Sequence, residues 1–135
     1  MNVKKLVVAT LVGGIVANVL DYVVHGMLLA ERYYSKLSVL FRQDTPVHYF
    51  VIGDFVAVLV LVLVYDRVYA SFGGGARGGA IGGFWAGLLV SFPTFIFIHL
   101  QFAGFPYALS WIWTIYGIVW YVVVGAVVGA LYRKL

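Results

Sequence analysis

Apolar residues gather into four long stretches separated by short polar breaks: Leu6–Ala30, His48–Tyr69, Gly79–Gln101 and Ala108–Tyr132. A helix needs about 20 residues to cross a hydrocarbon core roughly 30 Å thick, and each stretch is long enough. The pattern predicts an all-α chain, a four-helix transmembrane bundle, with residues 1–135 forming one domain. The connections are too short for a soluble catalytic domain.

Within the first span two faces stand out. Gly14, Asn18, Asp21 and His25 recur at helical spacing and form one stripe. Ala9, Gly13 and Ala17 form a second stripe, small enough to admit another helix closely. The segment from Glu31 to Asp44 reads either as an amphipathic piece lying in the interface, with Tyr33, Leu37, Leu40 and Phe41 on one face, or as an irregular loop. Thr45 and Pro46 read as the N-cap and first residue of the second span. Pro93 interrupts the hydrogen-bond ladder of the third span and is expected to kink it. In the fourth span Trp111 and Trp113 suit an interfacial belt, and Gly125 and Gly129 form a close-packing pair. Similar span ends and glycine pairs in the two halves leave a duplicated hairpin open.

Composition sharpens the class. The chain is 64% hydrophobic and 10% charged, with a mean hydropathy of +1.02. Soluble domains carry about 25% charged residues, so this is an integral membrane protein. The absence of cysteine excludes disulfides, iron–sulfur clusters, thiolate zinc sites and covalently attached c-type haem. The first apolar run continues past Ala17 to Ala30, longer than a cleavable signal core, so it reads as a retained span.

Nine Lys and Arg give a pI near 9.4, yet they sit at span ends, and nucleic acid is not an expected partner. Lys4, Lys5, Arg67, Arg77, Arg133 and Lys134 fall on one side of a four-span topology. Arg32, Lys36 and Arg42 fall on the other. Six against three predicts both termini in the cytoplasm.

The candidate chemistry lies in the spans. Asp21, His25, Asp54 and His99, together with His48 just outside the second span, would all fall in the half of the bilayer opposite the termini, and Asn18 joins the cluster from the same stripe as Asp21 and His25. Ionisable groups in lipid are costly and face a partner, a cavity or a ligand. Asp21 and His25 are four residues apart, about 6 Å along a helix, so they can pair. Asp54 is the expected further partner, with groups on the second and third spans around it.

Several readings stay open. Imidazole and carboxylate suit a divalent metal, though no ligand-spacing motif supports one. His25 and His99 at matched depth suit a b-type haem. Asp21, His25 and Asp54 suit a proton or ion path. The same groups could instead only hydrogen-bond to each other and fix helix register. No particular cofactor or metal follows from the residues alone. Gly73, Gly75 and Gly78 satisfy G-x-G-x-x-G, but without a strand and a βαβ unit this is a tight helix connection. No serine is set in a recognisable nucleophile pattern, and an enzyme is not expected.

The run from Asn18 through Asp21 and His25 to Ala30, the Gly53–Asp54 entry to the second span and the Gly-rich middle turn resemble small, uncharacterised bacterial four-helix integral membrane proteins. The resemblance extends over nearly the whole chain. It implies a four-helix bundle and a bacterial inner (cytoplasmic) membrane, and it assigns no activity and no functional residue.

The expectation is therefore a non-enzymatic accessory or structural subunit, with the lipid bilayer, other membrane subunits or further copies of itself as partners. The alternative is a metal-, haem- or ion-handling bundle centred on Asp21, His25, Asp54 and His99. Gly13, Gly125 and Gly129 are the expected helix-packing positions, either toward a partner or within the bundle.

Overall fold

The computed structural model describes residues 2–44 and 46–134, the side chains at 133 and 134 excepted. Among these residues there are helices and no strands. Four helical stretches are long and apolar enough to cross a membrane: Val3–Lys36, Val47–Phe72, Gly75–Gln101 and Tyr107–Tyr132.

Helix α1 covers Val3–Asp21 and starts at Asn2, whose side-chain oxygen accepts from the Lys4 and Lys5 amides at 3.0 and 3.4 Å. That cap satisfies amides a helix start otherwise leaves without partners. Lys5 then reaches the far end of the chain. Its Nζ donates to the Tyr132 carbonyl at 2.9 Å and lies 5.8 Å from the Tyr132 ring centre. A cation at a helix C-terminus meets orphan carbonyls and the negative end of the dipole. The beginning of the first helix and the end of the last therefore share one end of the bundle.

Beyond Asp21 the first helix changes type. Tyr22–Leu29 is π-helical, followed by a short α2 over Ala30–Arg32 and a 3-10 turn over Tyr34–Lys36. Apolar periodicity predicts only α-helix here, because hydropathy does not distinguish the two windings. π segments are rare and usually a single turn. Gly26 lies in the middle of this one, next to His25, whose partner is described below. The Glu31–Asp44 connection is not an amphipathic helix. After Lys36 it runs without regular structure, folded back by turns such as Leu40 N to Leu37 O at 2.8 Å.

Helix α3 spans Val47–Val68, with Pro46 as the flanking residue rather than the first helical one. The expected cap at Thr45 lies outside the described residues. A 3-10 turn over Tyr69–Phe72 leads into Gly73, Gly74 and Gly75, all with positive φ (79°, 67° and 65°). Three consecutive left-handed φ values need glycine. The glycine run is thus a tight turn between α3 and α4.

Helix α4 runs over Gly75–Phe95 and passes through Pro93 before stopping two residues later. Proline cannot donate to a carbonyl one turn back. The Thr94 hydroxyl donates to the Val90 carbonyl at 2.5 Å, a local back-bond that threonine makes in helices, while the carbonyl that Pro93 leaves without its helical donor is that of Leu89. The helix ends at 96–97, ahead of α5 over Ile98–Gln101. Gly104, with φ 81°, turns the chain into α6 over Tyr107–Lys134.

Helix α6 is the centre of the packing. It lies along α4 in the most extensive pairing of the molecule and also meets α1 and α3, while α1 lies along α3. The α4–α6 seam is made of glycine. A methyl added at Gly79 would land on the Gly125 carbonyl, one at Gly83 on the Tyr121 carbonyl and one at Gly129 on the Gly75 carbonyl. Gly125 and Gly129 thus pack within the bundle and are not free for a partner. On α1, Ala9, Gly13 and Ala17 are buried. A methyl at Gly13 would stand 2.8 Å from Val58 on α3 and 3.4 Å from Val128 on α6. Val58, Val62, Val124 and Val128 fill the core between these three helices.

Candidate functional site

The first span brings its polar stripe against α3 and α6. At its base Gly14 leaves room for the Phe55 ring. One turn on, the Asn18 amide donates to its own Gly14 carbonyl at 2.8 Å and reaches the Val51 carbonyl of α3 at 3.5 Å. Asp21 follows. Its Oδ1 accepts a short hydrogen bond from the Tyr116 hydroxyl of α6. Asp54 of α3 is close enough to Asp21 for the two carboxyl groups to interact directly. All three polar residues are half-exposed.

His25 stands on the π segment, half-exposed and within electrostatic reach of Asp21, but its hydrogen bond is made elsewhere. Its Nδ1 lies 2.5 Å from the Tyr34 hydroxyl. Trp113 Nε1 donates to that same hydroxyl oxygen at 3.0 Å. An indole N–H only donates, so the Tyr34 oxygen accepts from Trp113 and shares a second hydrogen bond with His25 Nδ1. The His25 ring also meets the Tyr116 ring edge-on at 5.2 Å, which joins the two halves of the network.

Aromatic rings close this end of the bundle. Trp113 lies 5.3 Å from Phe105, 5.7 Å from Phe95 and 6.0 Å from Phe41, each roughly perpendicular to it. Edge-to-face pairs at such distances are favourable beyond their buried area. The connection between the first two long helices is thereby pinned onto α6 through Tyr34 and Phe41. Trp113 is the hub of this cluster, whereas Trp111 keeps an exposed position.

The expected four-residue cluster divides. Asp21 and Asp54 come together, and His25 lies within electrostatic reach of Asp21 but bonds to Tyr34. His99 has its own partners, with Nδ1 3.2 Å from the Ser110 hydroxyl and its ring edge-on to Tyr107 at 4.8 Å. The third span was expected to supply contacts to Asp21 and His25. The polar contacts come instead from α3, α6 and the connecting segment, because α1 packs on α3 and α6. Among the described residues no three His, Asp or Glu side chains converge as a metal site requires.

Tyr34 and Tyr116 were not singled out from the sequence, and Trp113 was read there only as an interfacial residue. The signal available was weak but physical: an amphipathic aromatic residue in or beside a span needs a partner for its polar atom. Many aromatics here meet that description, so the type of residue alone could not choose among them.

The fold and this cluster define an integral membrane four-helix bundle with a polar, aromatic-capped end. No protein-family model, curated protein or solved structure matches the chain.

Proposed function

We propose that this chain is a non-enzymatic accessory subunit of a larger membrane assembly, and that its partner covers the side of the bundle where Asp21 and Asp54 emerge. The observation that carries this reading is the half-exposure of both carboxyl groups within segments that cross the membrane. Among the described residues the single ion pair is Arg42–Asp44, so no described Lys or Arg side chain pairs with either carboxyl group. A charged residue at the centre of a membrane helix costs about 2.5–3.5 kcal/mol on insertion scales, and lipid offers no hydrogen bond in return. A neighbouring polypeptide bearing donors removes that cost. In this reading the membrane is a bacterial inner membrane and the termini face the cytoplasm, an orientation that the basic-residue asymmetry favours.

A photo-reactive residue in place of Phe50, one turn from Asp54 and exposed, tests the reading in intact membranes. A discrete protein adduct is expected, whose yield falls when Asp21 and Asp54 are both changed to Asn. An adduct at twice the chain mass identifies a second copy as the neighbour. Adducts with lipid alone overturn the proposal.

A second reading rests on a different observation, the two adjoining polar groups, Asp54–Asp21–Tyr116 and His25–Tyr34, which only a ring contact between Tyr116 and His25 separates. Such an arrangement suits proton relay. Proton flux into liposomes containing the purified protein, abolished by Asp21→Asn, would select it over the accessory role.

A further inference from the structure

The π-helical segment shapes a groove on the outside of the bundle. In a winding bonded i to i+5, residues four and five apart share a face. Val24, Leu28 and Leu29 therefore stand together, and Tyr33 and Arg32 follow at the end of the helix. With Ile112 of α6 they line a groove of about 460 Å³. Its length lies along the first helix, its walls are apolar and its upper end carries a guanidinium.

We infer that this groove binds an anionic phospholipid of the leaflet opposite the termini, with an acyl chain against Val24, Leu28, Leu29 and Ile112 and the headgroup phosphate on Arg32. Three features converge on this occupant. The groove is lined by residues of two stretches long and apolar enough to cross a membrane, where an acyl chain is at hand. Arg32 closes the helical part of a span, at the depth where basic side chains meet headgroups. Arg32 is exposed and makes no ion pair among the described residues. The charge of the surrounding connection favours an anion as well. Arg32, Lys36 and Arg42 face Glu31 and Asp44 in sequence, and Arg42 and Asp44 bond to each other at 3.1 Å. A guanidinium suits phosphate because its donors form a planar fork.

The test uses the full-length protein purified in detergent and titrated with phosphatidylglycerol or phosphatidylcholine of identical chains, with retained lipid read by native mass spectrometry. Phosphatidylglycerol is expected to be preferred roughly fivefold, the effect of one basic residue at a membrane surface. The preference should shrink as salt is raised. Arg32→Gln should equalise the two lipids without changing the melting temperature, since Arg32 is exposed. Leu28→Trp, which fills the groove from an exposed position, should weaken both lipids. Equal binding of the two lipids by the native chain overturns the inference. So does an unchanged preference in Arg32→Gln. Competition by glycerol phosphate as effective as by the whole lipid would show a plain anion site and also overturn it.

Discussion

Along α4 the last helix meets glycine, and along α1 it meets hydrogen-bonded side chains. The two seams solve the same problem differently. Helices in lipid gain no hydrophobic advantage by associating, so they need close backbone approach or interhelical hydrogen bonds. The α4–α6 seam uses the first, with Gly79, Gly83, Gly125 and Gly129 letting carbonyls of the facing helix come within reach of Cα atoms. The α1 seam uses both in sequence. Ala9, Gly13 and Ala17 pack tightly near the termini, and Asn18, Asp21 and His25 bond through side chains toward the other end. A glycine seam tolerates no added atoms. A side-chain seam keeps its geometry only while its partners remain, and it is where the helix departs from α winding.

The largest expected effect lies in the glycine seam. Gly83→Leu should destabilise the protein by about 3 kcal/mol, near the upper end for overpacked sites, because its first side-chain atom meets the Tyr121 carbonyl and the backbone must move. Gly53→Ala is the control. No atom lies within 4 Å of a methyl there, so stability should hold or rise by up to about 1 kcal/mol through helix propensity. Denaturation in detergent micelles measures both. Equal stability of the two variants would show that the seam is looser than its geometry.

A smaller effect is expected where α6 meets α1. Tyr116→Phe removes the donor to Asp21 and should cost about 1–2 kcal/mol, the range for strong interhelical hydrogen bonds in membranes. Asp21→Asn should cost less, since an amide oxygen still accepts from the tyrosine. The double variant should then lose less than the sum of the two, which marks a direct interaction. Strict additivity would break the contrast between the seams.

The smallest effect belongs to the connecting segment. The Arg42 guanidinium holds the Asp44 carboxyl below the usual carboxylate range through a hydrogen-bonded pair at 3.1 Å. Because the folded value is depressed, the pairing stabilises above the unfolded value and is lost as pH falls through the folded one. Both side chains are largely exposed, at 72% and 80%, so the contribution to stability is slight and screened by salt. An NMR titration should show Asp44 moving up toward its ordinary value in Arg42→Gln or at high salt. No movement would mean that the pair does not persist in solution.

What the sequence by itself determined was the set of properties carried locally. Span length and hydropathy specify four membrane helices, since each must satisfy its own backbone in lipid. The glycine run marks the middle turn, since only glycine adopts three left-handed φ values in succession. The stripe of Asn18, Asp21 and His25 was legible because helical spacing alone puts these residues on one face.

Tertiary structure decided everything that depends on how one helix is rotated against another. Gly125 and Gly129 could have faced a partner or the bundle, and the rotation of α6 turned them onto α4. Asp21 found Tyr116, 95 residues away, rather than a group on the third span. His25 left its helical neighbour Asp21 for Tyr34, and His99 settled with Ser110. Such choices rest on contacts between distant segments, and no local pattern encodes them. The π winding of Tyr22–Leu29 was equally illegible, because its residues are as apolar as those of an α-helix.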